Sequence, residues 1–285
     1  MNPGVKAKAL LQLMRPELSL AAGVCVLIGT LLAAGRAVPA PVMAAGFCSG
    51  LFVSASANVL NDLFDLDTDR VNAPQRPLPS GRVTAREVVV LTALVSLVGL
   101  LAAWTLGPAA LIMAVLLWSL GFLYNWKVKE MGLPGNLTVA TCVGGMFLFG
   151  GVAAGSPWNA LVWSFAAMVF FFDLGEEIAG GVMDLEGDRQ RGARSIAIHY
   201  GRRPALTCAS LAIGASLLVG VLPLSLGWLG LPYLAVFLVA AGLIAFFTVR
   251  LWRSRTPAEG RACLRWNSLG GTLFLLLFLI GRLVG

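Results

Sequence analysis

The chemistry-bearing residues of this chain are concentrated in two short stretches. The first reads Asn61-Asp62-Leu-Phe-Asp65-Leu-Asp67-Thr-Asp69-Arg70 and the second Asp184-Leu-Glu186-Gly-Asp188-Arg189, with Glu177 just upstream of the second. On a helix, Asn61, Asp65 and Asp69 recur every four residues and share one face, with Asp62 beside it; Asp184 and Asp188 have the same spacing. Stacked carboxylates repel, more so where water is scarce, and a divalent cation removes that penalty. Mg²⁺ takes one or two carboxylates and completes its shell with water and phosphate oxygens. Two acidic faces bordering a cavity are therefore expected to hold about two or three Mg²⁺ ions around one diphosphate. A solvated helix end whose acids pair with nearby arginines is the plainer reading of one such stretch. A second copy at an equivalent place favours metal.

The two stretches form a repeat. Each is followed by basic residues and then by Gly-Arg, at Gly81-Arg82 and Gly201-Arg202. The halves run over about 18–154 and 155–285 of a single domain, after an N-terminal segment of residues 1–17. Sites in membrane proteins often lie where such halves meet. Arg70, Arg76, Arg82, Lys127, Lys129, Arg189, Arg191 and Arg194 cluster on the acidic side. A diphosphate leaving group needs cationic donors, and Lys127, Arg76 and Arg194 are the leading candidates, with Arg15 a further one. The tendency of basic residues to stay on one side of a membrane also accounts for each of them singly.

The elements that must position these residues are transmembrane helices. The chain has 285 residues, 58% hydrophobic and only 12% charged, with a mean hydropathy of +0.84. Soluble domains carry about 25% charged residues, so this one has too few to cover a water-facing surface. Apolar runs of about 20 residues span a bilayer as helices. Nine are expected, at about 18–36, 41–62, 85–105, 108–126, 133–154, 158–182, 203–224, 227–250 and 265–284. With the N-terminus cytoplasmic, every basic residue except Arg36 and Arg282 falls inside, as the positive-inside rule requires. Both acidic stretches then enter cytoplasmic loops, so the repeat is parallel. The net charge of +7 reflects this topology and calls for no nucleic acid partner. No signal-peptide pattern opens the chain, and the N-terminus is read as retained. The five scattered cysteines are expected to pack without a disulfide or a zinc site, and the single His199 reads as a polar loop residue.

These residues resemble the UbiA superfamily of intramembrane prenyltransferases. Asn61 to Asp69 matches N-D-x-x-D-x-x-x-D, and Arg70-Val-Asn-Ala-Pro-Gln-Arg-Pro-Leu-Pro-Ser-Gly81 continues as in the family. Asp184 to Asp188 matches D-x-E-G-D, and Tyr124 to Asn136 looks like a further signature. The resemblance runs from Arg15-Pro16 to about Arg203. It implies an all-α polytopic fold, nine helices around a central cavity, with the motifs on cytosolic loops. It implies transfer of a prenyl group from an isoprenoid diphosphate to a lipophilic acceptor. Asn61, Asp65, Asp69, Asp184 and Asp188 become metal ligands, with Asp62 in support. Lys127 contacts diphosphate and Tyr124 lines the pocket near the allylic carbon. Arg15, Arg70, Arg76, Lys129, Arg189 and Arg194 complete the implied substrate-binding set. Asp65 and Asp184, with Lys127 and Tyr124, are the implied catalytic residues.

The motifs look most like the branch that alkylates geranylgeranylglyceryl phosphate, and chlorophyll synthases share much of the first. An aromatic or chlorin acceptor is the alternative. That branch usually carries a basic R-E-I stretch before the second motif; here Glu176-Glu177-Ile178-Ala-Gly-Gly181 stands in its place. Acids within a span are costly and usually functional. Asp173 or Glu176 is expected either to contact the acceptor, to orient a basic residue, or to make a helix-to-helix polar contact. A transporter is the rival of another class, but it needs polar groups at the midplane of several spans, whereas these cluster at one face. The D-G-x-x-A-R pattern of phosphatidyltransferases and the G-x-x-x-x-G-K-[ST] of NTPases are absent from the sequence.

Overall fold

A computed structural model describes residues 3–35, 38–190 and 192–284. Arg36 and Arg191, used in the charge pattern above, lie outside the described residues. The elements are all helical: α1 (Pro3–Leu13), α2 (Pro16–Ala34), α3 (Ala40–Phe64), α4 (Leu66–Asn72), α5 (Ala85–Thr105), α6 (Pro108–Leu123), α7 (Leu133–Ala153), α8 (Ala160–Met183), α9 (Leu185–Gln190), α10 (Ile196–Tyr200), α11 (Arg202–Ser225), α12 (Leu231–Arg253) and α13 (Pro257–Val284). Between α6 and α7 the chain continues as a π-helical turn, Tyr124–Val128, and a 3₁₀ turn, Lys129–Met131.

Among the described residues, eight helices are long and apolar enough to cross a membrane: α2, α3, α5, α6 with its continuation to Met131, α7, α11, α12 and α13. The chain is a multi-pass membrane protein. Helix α8 matches them in length at 24 residues but carries Asp173, Glu176 and Glu177. Large apolar side chains such as Leu94, Leu101, Leu211 and Leu218 are exposed, as suits a lipid solvent.

Local signals explain where helices begin. Proline occupies the first turn of α2, α3, α6 and α12, where its missing N–H loses nothing. Thr84 and Glu87 form a reciprocal cap on α5. Asn159 Oδ1 accepts from the N–H groups of Leu161 and Val162 at the start of α8. The last helix starts at Pro257, eight residues before the apolar run expected from 265, with Glu259 N–H donating to Thr256 Oγ1. Its first turns are polar, so hydropathy alone misses them.

By internal contact the chain divides into two units, Met1–Lys129 with Gly145–Pro157, and Glu130–Gly144 with Trp158–Gly285. In the first unit, α2 meets the second half of α7 backbone to backbone. A side chain at Gly29 would sit 2.2 Å from Phe147 O, and one at Gly150 would sit 2.3 Å from Val26 O. Small residues permit such close crossings between membrane helices. Helix α1 closes the end bearing the first acidic stretch: Ala9 and Leu13 are buried against Val59, Leu78, Val83 and Val88. In the second unit, α8 packs on α11 and α13 around Leu174, Ile178, Val182, Leu206 and Ala209. There Arg202 Nη2 caps the end of α12, donating to Ser254 O at 2.9 Å and Ser254 Oγ at 2.8 Å.

Candidate active site

Both acidic stretches sit where a long helix breaks into a short one. Helix α3 ends at Phe64, Asp65 adopts φ −88°, ψ 2°, and α4 follows. Helix α8 ends at Met183, Asp184 adopts φ −108°, ψ 19°, and α9 follows. The uninterrupted helical face expected from the spacing is thus corrected to a helix–break–helix, at the same motif position in each copy. The turn hydrogen bonds survive the break: Asp69 N–H reaches Asp65 O at 2.7 Å, and Asp188 N–H reaches Asp184 O at 2.9 Å. The i, i+4 relation is therefore kept while the chain bends, in a backbone region where active-site residues often sit.

In the first unit the acids alternate with cations. Arg15 Nη2 donates to Asn61 Oδ1 at 2.8 Å and Asp62 Oδ1 at 2.9 Å. Arg76 Nη1 donates to Asp69 Oδ2 at 2.6 Å and lies 4.0 Å from Asp62 Oδ1. Lys129 Nζ is ion-paired to Asp65 Oδ2. Asp62 and Asp69 are buried, 4% and 5% exposed. Burial by itself would lower the Arg76 guanidinium; the hydrogen bond and charge of Asp69, then the charges of Asp62 and Asp65, outweigh it and hold Arg76 above its ordinary value. Arg15 has φ +45°, a left-handed backbone that a non-glycine residue rarely holds. It precedes Pro16, which disfavours the right-handed helical region.

Asn125 was missed in the sequence. It lies buried in the π-helical turn, where its Nδ2 donates to Gly121 O and Ala57 O at 3.0 Å, and its Oδ1 accepts from Asn61 Nδ2 at 2.9 Å. Wide turns of this kind recur at functional sites. Here the turn locks Asn61 in place and carries Tyr124, half-buried, and Lys127, exposed. The signal was present, since Asn125 directly follows Tyr124 in the signature segment. Arg70 does not join the cluster: it pairs with Asp67 at 2.8 Å, both exposed.

In the second unit, Asp188 is buried and Asp184 exposed. Asp184 Oδ1 accepts from Arg261 Nη1 at 3.0 Å, and the same nitrogen donates to Met183 O at 3.1 Å. Arg261 was also missed, because every basic residue on that side already had an explanation. Arg189 and Arg194 are exposed. The Arg194 backbone is fixed: its N–H donates to Glu130 O at 2.9 Å, and a side chain at Gly132 would sit 2.0 Å from Arg194 O. Gly132 has φ +74°, so both conformation and space require glycine there. Farther along α8, Glu176 accepts from Ser268 Oγ of α13, the helix-to-helix polar contact among the expected roles. Asp173 Oδ2 and Glu176 Oε1 are enclosed with no hydrogen-bond partner.

Among the described residues, no group of three His, Cys, Asp or Glu is placed to hold a metal ion unaided. The donor sets are oxygen only, with one or two carboxylates at each place. That chemistry fits Mg²⁺ arriving with phosphate oxygens and water rather than a closed protein cage.

An all-helical multi-pass fold with acidic and cationic groups at helix breaks defines the class as a polytopic membrane protein with a charged site at the ends of its helices. Comparison with known proteins makes it specific. The profile of the UbiA prenyltransferase family matches residues 22–269, and the chain belongs to that family. Digeranylgeranylglyceryl phosphate synthase of Methanopyrus kandleri is 37% identical over 246 residues, 85% of this chain and 88% of that protein. A solved structure of a digeranylgeranylglyceryl phosphate synthase is 28% identical, with a TM-score of 0.79 over 97% of this chain and 98% of that one. A UbiA homolog from Archaeoglobus fulgidus, bound to GPP and Mg²⁺, shares the fold at 17% identity, with a TM-score of 0.74 over 97% of this chain and all of that one. The chain is a prenyltransferase embedded in the membrane.

Proposed function

We propose that this enzyme transfers a geranylgeranyl group from its diphosphate to geranylgeranylglyceryl phosphate, with Mg²⁺, at the cytoplasmic face of the membrane. The alternation of carboxylates and cations at Asp62, Asp65, Asp69, Arg15, Arg76 and Lys129 carries the reading, because a metal diphosphate is itself such an alternation. Asn61, Asp62, Asp65 and Asp69, with Asp184 and Asp188, hold Mg²⁺, which when bound neutralises charge on the diphosphate. Arg76, Lys127, Lys129 and Arg194 receive the phosphate oxygens, and Arg15 orients Asn61 and Asp62. As the C1–O bond breaks, the diphosphate leaves with the electron pair, and the acceptor hydroxyl oxygen closes on C1 and passes its proton to the departing diphosphate. Tyr124 and apolar walls keep water from the allylic cation. The halves 18–154 and 155–285 act as one domain, α8 is a ninth span, and residues 1–17 lie in the cytoplasm.

A second reading, an aromatic or chlorin acceptor, draws on Asp173 and Glu176, two acids within α8 whose Oδ2 and Oε1 are enclosed without a hydrogen-bond partner. One incubation separates the two. Purified protein, Mg²⁺ and geranylgeranyl diphosphate are mixed with geranylgeranylglyceryl phosphate, a quinone precursor and a chlorin, and alkylated products are identified by mass spectrometry. Product from the glyceryl phosphate alone supports the proposal; product only from an aromatic or chlorin acceptor overturns it.

A further inference from the structure

Helices α11 and α12 leave between them a groove of about 530 Å³ that plays no part in the chemistry above. It is lined by Leu211, Gly214, Leu218 and Val221 of α11 and by Phe237 and Ala241 of α12. Leu211 and Leu218 are 68% and 73% exposed on its rim. Phe237 is buried at its floor, and no atom lies within 4 Å of where a side chain at Gly214 would begin. Lining residues run from Ser210 to Val221, which on a helix is about 16 Å. That is close to half of a hydrocarbon core about 30 Å thick, the depth of one leaflet.

The two ends of the groove differ. Toward the start of α11, Ser210 Oγ accepts from Trp252 Nε1 at 2.8 Å, so the indole closes that end. Arg203 stands at a helical repeat of the lining positions, through Thr207 to Ser210 and Leu211, and is exposed. Arg250 and Arg253, exposed in the last turn of α12, stand about 180° and about 120° around that helix from Ala241 and so face away from the groove. Arg202 is engaged in capping α12, which leaves Arg203 as the cation on the lining face. An apolar slot one leaflet deep, closed by an interfacial tryptophan and headed by an exposed guanidinium group, has the chemistry of a phospholipid with a negative headgroup.

We propose that the α11–α12 groove binds an anionic membrane phospholipid, with one acyl chain between Leu211, Gly214 and Leu218 and the phosphate held by Arg203 beside Trp252. The site is separate from the acid clusters and does not depend on which acceptor is alkylated.

The full-length protein, purified in detergent and stripped of co-purified lipid, is mixed with equal amounts of dioleoylphosphatidylglycerol and dioleoylphosphatidylcholine. Lipids retained per protein are counted by native mass spectrometry. The wild type retains phosphatidylglycerol preferentially, and Arg203→Gln reduces that preference about fivefold, the effect of one cation near an anionic headgroup. Gly214→Leu fills the groove and lowers retention of both lipids; Ala241→Leu fills it from the other helix and gives the same result should Gly214→Leu melt early. Equal retention of the two lipids by the wild type overturns the proposal. So does a preference that Arg203→Gln leaves unchanged, or retention that neither filled variant lowers.

Discussion

Arg15 and Asp62 form a partly enclosed ion pair at 2.9 Å, and the arginine that makes it holds a left-handed backbone. That conformation is unfavourable for a side chain bearing a Cβ by about 1–2 kcal/mol. Asp62 is 4% exposed, so it depends on the guanidinium for most of its compensation.

Arg15→Ala is therefore expected to lower stability by about 2 kcal/mol, the scale of a hydrogen bond to a charged group, and turnover at least about tenfold. Arg15→Lys keeps the charge but loses the simultaneous contact to Asn61, and should recover only part of each. Thermal unfolding in detergent and steady-state turnover measure the two effects.

The aspartates of the first stretch are not equivalent. Asp65→Asn should reduce turnover by about a thousandfold, as removal of a metal-binding carboxylate does at a charged transition state. Asp67 is exposed and pairs only with Arg70 at the surface, so Asp67→Asn should change turnover less than about twofold. Equal losses in the two variants would contradict the assignment.

Gly132→Ala meets both a positive φ and the Arg194 carbonyl, and should destabilise the second unit by about 2 kcal/mol or more while raising KM for diphosphate. Gly242→Ala, within α12, is the control. Nothing lies within 4 Å of where its Cβ would stand, so melting temperature and KM should stay close to wild type.

Arg76 is held above its ordinary pKa. A raised cationic pKa contributes stability below the unfolded value and loses it only as pH rises through the folded one. The Arg76–Asp69 pair should therefore hold on the alkaline side to a pH above the ordinary arginine range. Arg76→Lys moves that limit toward the lysine range near about pH 10. A pH profile of turnover that fell at the same alkaline pH in both proteins would show that another group sets the limit.

Much of this was readable before any coordinates. The helical class follows from the apolar runs, and the acidic stretches stand out because the rest of the chain is so poor in charge. The bends at Asp65 and Asp184 were not readable, since a four-residue period survives a break that keeps its turn hydrogen bonds. Asn125 escaped because a single amide gives no periodic signal; its role lies in closing the π-helical turn. Arg261 was hidden by a rule that explained all basic residues at once. The start of α13 at Pro257 was missed because hydropathy reports depth in the membrane, whereas capping by Thr256 reports the helix. Helix α1 was missed for the opposite reason: its burial of Ala9 and Leu13 is tertiary.

We propose, as under the function above, that the acids of the two stretches serve one metal-dependent diphosphate site. Isothermal titration of geranylgeranyl diphosphate into wild type, Asp65→Asn, Asp184→Asn and the double variant, each with and without Mg²⁺, tests it most directly. One shared site predicts tight binding only in the wild type with Mg²⁺, with each single variant losing nearly as much affinity as the double. Losses that add independently, or wild-type binding equally tight without Mg²⁺, would contradict it.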